Sequence, residues 1–310
     1  MKVLVTGGAG FIGSHVVEEH IKNGDEVVVV DDLSMGNVEN LPNSELVTFY
    51  ENDITNFEFM DDLLVNGNFD VVFLLAAVAS VADTIQRPLV THEVNQQANI
   101  HILETIRLQS LGVKKIIFAS SAAVYGTLPG LPKIESGAVD PSTPYAIDKY
   151  ATERFVRAYN SLYGIPTVAF RFFNVYGPRQ NPKSPYSGVL SLISNALANH
   201  ETFTVMGDGQ QTRDFVFVKD VVQALMLGEL TDEMNGQVFN VGSGKTNTLL
   251  AAIEAFQDVS GKKLTVKFAD ERQGDIKHSA ANINKLEQFG YEPKYDFSTG
   301  VKKYWESLKG

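Results

Sequence analysis

The sequence predicts an α/β protein, with a doubly wound parallel sheet and a smaller mixed α/β lobe. In the first half of the 310 residues, short β-branched runs alternate with longer stretches of helical period, which is typical of βαβ units. Several runs are apolar on both faces, as expected for strands that helices cover on both sides. The predicted strands are, in order, Lys2–Thr6, Glu26–Val30, Leu46–Tyr50, Val71–Ala76, Lys114–Ser120 and Thr167–Phe172.

The second lobe is predicted to begin in a stretch rich in proline and glycine. Residues 177–182 interrupt the βαβ pattern, and a helix over Val189–Asn199 follows with mixed shorter elements. We therefore predict a first domain over residues 1–175 and a discontinuous second lobe over residues 176–310. A strand near residues 236–242 is expected to return to the main sheet.

Composition excludes several classes of function. The chain has no cysteine, and its six histidines show no spacing typical of a metal site, so we expect no metal and no disulfide. A formal net charge of −11 argues against nucleic acid as a partner. The longest apolar run, Val71–Ala79, is too short to span a bilayer. Met1 and Lys2 lead directly into a strand without a targeting pattern, which predicts a cytoplasmic location.

A glycine-rich turn joins the first strand to a helix predicted over Phe11–Lys22. Gly8, Gly10 and Gly13 fit GxGxxG, and Gly7, Gly10 and Gly13 fit the related GxxGxxG. Glycines allow the backbone to approach a pyrophosphate, whose charge the helix N-terminus stabilises. A tight structural turn is the alternative, but the position between strand and helix favours a dinucleotide. The expected contacts are Gly7, Gly10, Phe11, Ile12 and Gly13.

Acidic residues after the second and third strands bear on the choice of cofactor. Asp31 is expected to bind the adenosine ribose hydroxyls, and its charge would repel a 2′-phosphate, so NAD is favoured over NADP. Asp32 is the alternative candidate for this role. Whichever of the two aspartates does not bind the ribose would be a solvated turn carboxylate. Asp53 and Ile54 are expected either beside the adenine or, for Asp53, at a helix N-cap.

Tyr145 and Lys149 form the candidate catalytic pair. They lie four residues apart on a helix capped by Ser142 or Thr143, and therefore share one face. A neighbouring ammonium and an oxidised nicotinamide ring both favour the phenolate, so Tyr145 is predicted to act as a base. In isolation this spacing more often marks a helix surface. The glycine-rich turn upstream, and Ser121 at the carboxyl end of a strand, favour catalysis instead.

Taken together, the motifs resemble those of the extended short-chain dehydrogenase/reductases, and most of all the UDP-sugar 4-epimerases. The resemblance covers essentially the whole chain. It rests on TGGAGFIG at residues 6–13, Asp31, Ser121 before AAVYG, YxxxK at 145–149, RFFNVYGPRQNP at 171–182, GDGQQTRDFVFVKD at 207–220 and NVGSG at 240–244.

This resemblance implies a Rossmann NAD-binding domain, a substrate-binding lobe and an isomerase that oxidises a UDP-hexose to the 4-keto sugar and returns the hydride to its opposite face. It implies that Tyr145 is the base and Ser121 its hydrogen-bond partner. Lys149 would bind the nicotinamide ribose and lower the tyrosine pKa. A homodimer formed through two helices that flank the sheet would fit the family.

The resemblance also implies substrate contacts in the second lobe. Arg213 and Arg272 match residues that hold the diphosphate and the nearby ribose, and Asn174 matches an amide donor to the same group. Guanidinium suits phosphate because its donors lie in one plane. The alternative for each arginine is a surface ion pair with the adjacent Asp214 or Glu271.

Ser279 is the expected determinant of sugar choice. In similar epimerases its position packs beside the C2 substituent, and a small residue leaves room for an N-acetyl group. We therefore expect UDP-GlcNAc and UDP-GalNAc as substrates, with UDP-glucose and UDP-galactose as possible additions. Asp275, in the same segment, is a further candidate substrate contact.

Two stretches depart from the family pattern. Leu75 stands where many relatives have histidine before the pair Ala76 and Ala77, and Asn95 begins Asn-Gln-Gln-Ala in place of Asn-x-x-Gly. Both stretches lie on the expected cofactor path, so Ala76, Ala77 and Asn95 are candidate cofactor contacts.

Two alternative functions remain at this point. A nucleotide-sugar 4,6-dehydratase or decarboxylase shares the fold, but dehydratases carry an Asp-Glu pair after a threonine where this chain has Ser121-Ala122-Ala123. A non-catalytic NAD-sensing regulator is the other alternative. The joint presence of Ser121, Tyr145 and Lys149 argues against it.

Overall fold

The computed structural model describes residues 1–181, 188–271 and 276–309. The strands are β1 Lys2–Thr6, β2 Glu26–Asp31, β3 Val47–Glu51, β4 Val71–Leu74, β5 Lys115–Ser121, β6 Thr167–Phe172, β7 Asn174–Tyr176, β8 Thr202–Met206, β9 Thr212–Arg213, β10 Phe215–Phe217, β11 Val238–Val241, β12 Asn247–Thr248 and β13 Thr265–Ala269. The helices are α1 Phe11–Lys22, α2 Phe57–Gly67, α3 Val81–Gln86, α4 Pro88–His92, α5 Ala98–Leu108, α6 Pro144–Tyr163, α7 Val189–Asn199, α8 Val218–Leu230, α9 Leu249–Ser260, α10 Asn284–Glu287 and α11 Phe297–Ser307.

Seven strands form the main sheet, in the order β11-β6-β5-β4-β1-β2-β3. The chain winds outward from β1 in both directions, and β1 runs parallel to both β2 and β4. The doubly wound parallel sheet predicted from the sequence is therefore confirmed. The winding reverses between β1 and β4, and doubly wound sheets bind ligands at the carboxyl ends of the strands beside such a point.

The predicted strand over Val71–Ala76 ends earlier than expected, at Leu74. The reason is a side chain on the neighbouring strand. The backbone N–H groups of Leu75 and Ala76 donate to Thr6 Oγ1, at 3.1 and 3.3 Å, rather than to the sheet ladder. The other five strands predicted before residue 175 match the observed bounds to within one residue, and the returning strand predicted near residues 236–242 is observed as β11, Val238–Val241.

Contacts divide the chain into two compact units, and each has a core of its own. The first comprises Met1–Gly126, Ala138–Phe172 and Val222–Phe239, and the second comprises Thr127–Gly137, Phe173–Val221 and Asn240–Gly310. In the first, strands β1, β2, β4, β5 and β6 are buried on both faces, whereas the edge strand β3 is partly exposed. In the second, helices α7, α9 and α11 pack their apolar faces around aromatic residues that include Tyr176, Phe256 and Trp305.

Residues 222–235, predicted in the second lobe, fall in the first unit, and residues 127–137, predicted in the first domain, fall in the second unit. The physical reason for the latter is a short stretch of strand-like pairing around Lys133. Its N–H donates to Ala280 O at 2.8 Å, and its carbonyl accepts from Asn282 N at 2.9 Å.

Among the described residues, no helix is long and apolar enough to cross a membrane. Within the same ranges, no group of three or more histidine, aspartate or glutamate side chains is arranged to hold a metal ion.

Candidate active site

The glycine-rich turn has the shape of a ligand cradle. Gly7 adopts φ +71°, in the left-handed region that favours glycine, and its N–H donates to Val30 O at 2.8 Å. A Cβ on Gly13 would collide with the Gly7 carbonyl and lie 2.8 Å from the Gly8 Cα. The turn and the first residues of α1 therefore pack directly on one another because no side chain intervenes.

The N-terminus of α1 completes this cradle. Gly10 is its N-cap and has no side chain that could accept from the first N–H groups, which belong to Phe11 and Ile12 among others. The loop after β4 lies directly against the turn, since a Cβ on Gly7 would approach the Ala76 N and Cα to 2.8 Å. Backbone donors at a helix N-terminus suit an anionic pyrophosphate, so the residues present fit a dinucleotide.

The structure separates Asp31 from Asp32. The carboxylate of Asp31 is 8% exposed and accepts from Ala9 N at 3.0 Å, within the turn, and from Leu33 N at 2.9 Å. Burial raises the pKa of Asp31, and these N–H groups oppose the shift. Asp32 is exposed and accepts from the N–H and hydroxyl of Ser34, at 3.0 and 2.6 Å. Asp31 thus belongs to the cradle, and Asp32 is the turn carboxylate.

Asp53 and Ile54 follow β3, as expected. The N-cap of α2 is Asn56, whose side chain accepts from Phe59 N, so the N-cap alternative for Asp53 is wrong. Asp53 accepts instead from Thr55 N at 2.8 Å. Ile54 is buried, and the contact with an adenine stays a prediction.

Asn95 holds the loop that follows β4. It is fully buried in a π-helical turn, Glu93–Gln97, and its carboxamide accepts from Val78 N at 2.8 Å and donates to Val78 O at 3.2 Å. The side chain thereby fixes the loop that carries Ala76 and Ala77. Direct contacts of these three residues with a cofactor stay predictions.

The candidate catalytic residues come together where β5 ends and α6 begins. Thr143, rather than Ser142, caps α6 by accepting from Ala146 N at 3.2 Å. The Tyr145 hydroxyl is hydrogen-bonded to Ser121, the last residue of β5. One turn further along α6, Lys149 Nζ donates to Ala119 O at 2.9 Å. The pairing of Ser121 with Tyr145 that the motifs suggested is therefore present.

The electrostatics of this trio differ from the expectation. Burial raises the pKa of Tyr145, and the hydrogen bond with Ser121 only partly offsets this. Burial lowers the pKa of Lys149 to about 8, with Asp148 acting in the opposite direction. In the protein by itself, burial therefore outweighs the hydrogen bond in its effect on the pKa of Tyr145, and the lowering of this pKa by Lys149 stays a prediction.

A buried ion pair underlies the trio. Glu153, one turn beyond Lys149, is fully buried and accepts from Arg171 Nε and Nη2, at 2.9 and 2.7 Å, and from Ser120 Oγ at 2.7 Å. The guanidinium also lies 4.8 Å from the ring centre of Tyr125. The network connects α6, β5 and β6 beneath the catalytic residues. Neither its charge pairing nor the role of Thr6 was predicted from the sequence.

The described candidate substrate residues lie around β9 in the second unit. Arg213 Nη1 donates to Thr212 O and Lys277 O, at 2.9 and 3.2 Å. Asn174 Nδ2 donates to Asp214 O at 3.1 Å. Ser279 is partly exposed, and its N–H donates to Thr212 O at 3.0 Å. Arg272 and Asp275 lie outside the described residues.

The carboxylate of Asp214 does not serve as a surface partner for an arginine. It is fully buried, and it accepts from Ser243 N and Oγ, both at 2.7 Å, from Gly244 N at 3.0 Å and from Ala281 N at 3.3 Å. The ion-pair alternative proposed for Arg213 with this residue is therefore wrong. On the other side of the segment, Glu271 pairs with Lys277 at 2.9 Å.

Comparison with known proteins agrees with this geometry. Residues 3–242 match the family described as the NAD dependent epimerase/dehydratase family. The chain belongs to this family. NAD as the cofactor, which Asp31 and the glycine cradle predicted, is confirmed by the family and by relatives whose structures contain NAD.

Several family members resemble the chain over its full length. The UDP-glucose 4-epimerase of Mycolicibacterium smegmatis is 37% identical over 314 residues, covering 100% of this chain and 99% of the relative. A UDP-N-acetylglucosamine 4-epimerase from Methanobrevibacter ruminantium, solved with UDP-N-acetylmuramic acid, has a TM-score of 0.93 at 38% identity. The match covers 99% of this chain and 98% of the relative. The UDP-glucose 4-epimerase of Thermus thermophilus, solved with NAD, has a TM-score of 0.92 at 34% identity. The match covers 100% of this chain and 99% of the relative.

Proposed function

We propose that this protein is a UDP-sugar 4-epimerase, an isomerase that inverts C4 of a UDP-hexose with NAD as its resident cofactor. The observation that carries the proposal is the hydrogen bond between Tyr145 and Ser121, with Lys149 one turn away, beside a glycine cradle that fits a dinucleotide. The relatives described above are named as epimerases of UDP-sugars, and this supports the choice of substrate class.

NAD, when bound, supplies a reversible hydride acceptor. The chain's own residues manage the proton. Tyr145 would accept the proton of the sugar 4-hydroxyl at its phenolic oxygen and return it after the 4-keto sugar has turned over, with Ser121 hydrogen-bonded to the same oxygen. Because burial raises the pKa of Tyr145, this step needs positive charge nearby. Lys149 as an ammonium and the oxidised nicotinamide are the groups that would provide it.

We further propose that the preferred pair is UDP-GlcNAc and UDP-GalNAc, with UDP-glucose and UDP-galactose as additional substrates. The small side chain of Ser279, at the position that faces the C2 substituent in similar epimerases, supports this choice. Its backbone N–H donates to Thr212 O and its carbonyl accepts from Asp214 N, which supports an ordered backbone at this position. One structural relative is named for UDP-N-acetylglucosamine and another for UDP-glucose, in agreement with either pair.

A dehydratase of the same fold is the competing function, since a dTDP-glucose 4,6-dehydratase matches with a TM-score of 0.90 at 28% identity. Epimerisation is favoured because Ser121 is followed by Ala122 and Ala123, which form a short 3₁₀ turn without a carboxylate. Removal of water from C5 and C6 requires an acid and a base at this place.

We also propose a homodimer through α5 and α6. Leu108 on α5 is 61% exposed, and Phe155, Leu162 and Tyr163 on α6 are 41%, 70% and 50% exposed. Neighbouring exposed apolar side chains of this size are typical of a surface that another chain covers. Sedimentation as a monomer at micromolar concentration would exclude the dimer. The cytoplasmic location stays a prediction.

The test of the function is incubation of the purified protein with a panel of UDP-sugars, followed by chromatographic separation of the C4 epimers. Tyr145→Phe removes only the phenolic oxygen, so turnover should fall by at least ~100-fold, the lower range for a lost general base, while NAD stays bound. Ser121→Ala should be milder because the base remains. Near-normal turnover of Tyr145→Phe would reject the mechanism, and release of water from the sugar would identify a dehydratase.

A further inference from the structure

We propose that Asp214 is the positioning residue of the nucleotide-sugar site, which holds Asn174, Arg213 and Ser279 in their binding arrangement. The inference rests on the proposed function, because these three residues are its described candidate substrate contacts. All four residues belong to the second unit. Neither the motif that contains Asp214 nor its charge had suggested this role.

Hydrogen bonds occupy both carboxylate oxygens of Asp214. Each oxygen accepts two hydrogen bonds, Oδ1 from the N–H and hydroxyl of Ser243 and Oδ2 from the N–H groups of Gly244 and Ala281. The capacity of a carboxylate is about four such bonds, so none remains. A Cβ on Gly242 would lie 2.7 Å from Oδ2, and glycine at that position therefore permits the close approach.

The main chain of the same residue carries the candidate ligands. Asp214 N donates to Ser279 O at 2.9 Å. Asp214 O accepts from both the backbone N and the side-chain Nδ2 of Asn174, each at 3.1 Å. Arg213 is the preceding residue and pairs with Asn247 of β12. A shift of the Asp214 backbone would consequently displace all three candidate contacts at once.

Asp214→Asn is the informative substitution because it conserves size. The amide nitrogen of asparagine is a donor, and it would face backbone N–H groups that are also donors. The two hydrogen bonds made at the position that the amide nitrogen takes would be lost. The segments that carry Ser243, Gly244 and Ala281 would then separate from β9. The substrate residues would remain present but misplaced.

Asp220 provides a matched control in the same unit. It is 1% exposed, and its carboxylate likewise accepts backbone N–H groups, from Lys294 at 2.9 Å and Tyr295 at 3.3 Å. These two hydrogen bonds involve none of the candidate substrate residues. Asp220→Asn should therefore disturb the local fold without disturbing substrate binding.

The experiment measures kcat and KM for the UDP-sugar, the Kd for UDP by titration calorimetry, the Kd for NAD and the melting temperature. For Asp214→Asn we expect KM and the UDP Kd to rise about 10-fold or more, since two charge-assisted hydrogen bonds are lost. We expect kcat and NAD affinity to stay near those of the wild type. Asp220→Asn should change only the melting temperature. Equal KM values for the two variants, or a fall in kcat alone for Asp214→Asn, would overturn the proposal.

Ser243→Ala covers the case in which Asp214→Asn fails to fold. It removes one of the four donors and should raise KM and the UDP Kd about threefold. Unchanged values would reject the positioning role. If the wild type turns over no UDP-sugar, the proposed function fails, and the UDP Kd of the variants still decides the role of Asp214. A wild type that binds no UDP overturns both.

Discussion

The buried ion pair between Arg171 and Glu153 allows a quantitative test of the packing beneath the catalytic residues. Replacing Arg171 by methionine leaves Glu153 with Ser120 as its remaining donor, instead of three hydrogen bonds. Two charge-assisted hydrogen bonds at roughly 1.5–3 kcal/mol each give a loss of about 3–6 kcal/mol. This agrees with the ~3–5 kcal/mol seen when one partner of a buried ion pair is removed.

The double variant Glu153→Leu with Arg171→Met makes the prediction specific. With both charges gone, no desolvated carboxylate remains, and apolar side chains of similar volume should recover most or all of the lost free energy of unfolding. Urea unfolding followed by far-ultraviolet circular dichroism measures the wild type, the two single variants Arg171→Met and Glu153→Leu, and the double variant, and the double-mutant cycle gives the coupling.

Arg87→Met is the matched control. Arg87 makes the same two-pronged contact with Asp83, through Nε at 2.8 Å and Nη2 at 2.6 Å, but at the surface. Water replaces the contact there, so the urea midpoint should barely move. The reasoning is refuted if Arg171→Met lowers the free energy of unfolding no more than Arg87→Met does. It is also refuted if the double variant is less stable than Arg171→Met.

Three further outcomes are expected. Asp31→Ala should weaken NAD binding by calorimetry at least about tenfold more than Asp32→Ala, because only Asp31 lies against the glycine turn; equal losses would contradict the assignment. Burial, together with the Asp25 charge, raises the pKa of Glu229 to about 7. Between about pH 4.5 and pH 7 the folded protein therefore keeps a proton on Glu229 that the unfolded chain loses, so the stability contributed by this group falls as the pH rises through that range. Glu229→Gln should therefore raise the melting temperature at pH 8 and flatten its dependence between pH 5 and 8; an unchanged profile would show that Glu229 is not the group. Ser279→Tyr should abolish turnover of the N-acetylated pair by steric exclusion and spare UDP-galactose, and equal effects on both pairs would remove Ser279 as the determinant.

Local patterns in the sequence were sufficient for the fold class and for the glycine-rich turn that is predicted to hold the cofactor. A run of β-branched residues, a turn with glycines at fixed spacing and a helix start are all encoded within about a dozen neighbouring residues. The four-residue spacing of Tyr145 and Lys149 likewise decides by itself that both lie on one face of α6. These features depend on short-range geometry, so the sequence alone determined them.

Tertiary structure alone decided which polar groups meet. Thr6 receives the N–H groups of residues about 70 positions away, and Asp214 collects donors from segments near residues 243 and 281. Many backbone N–H groups are chemically equivalent in sequence, so only the folded path of the chain selects the ones that reach a given oxygen. The same holds for the pKa of Tyr145. The pKa shifts upward because the ring is buried, and burial depends on all the groups packed around the ring. The lysine four residues along the sequence does not decide the direction of this shift.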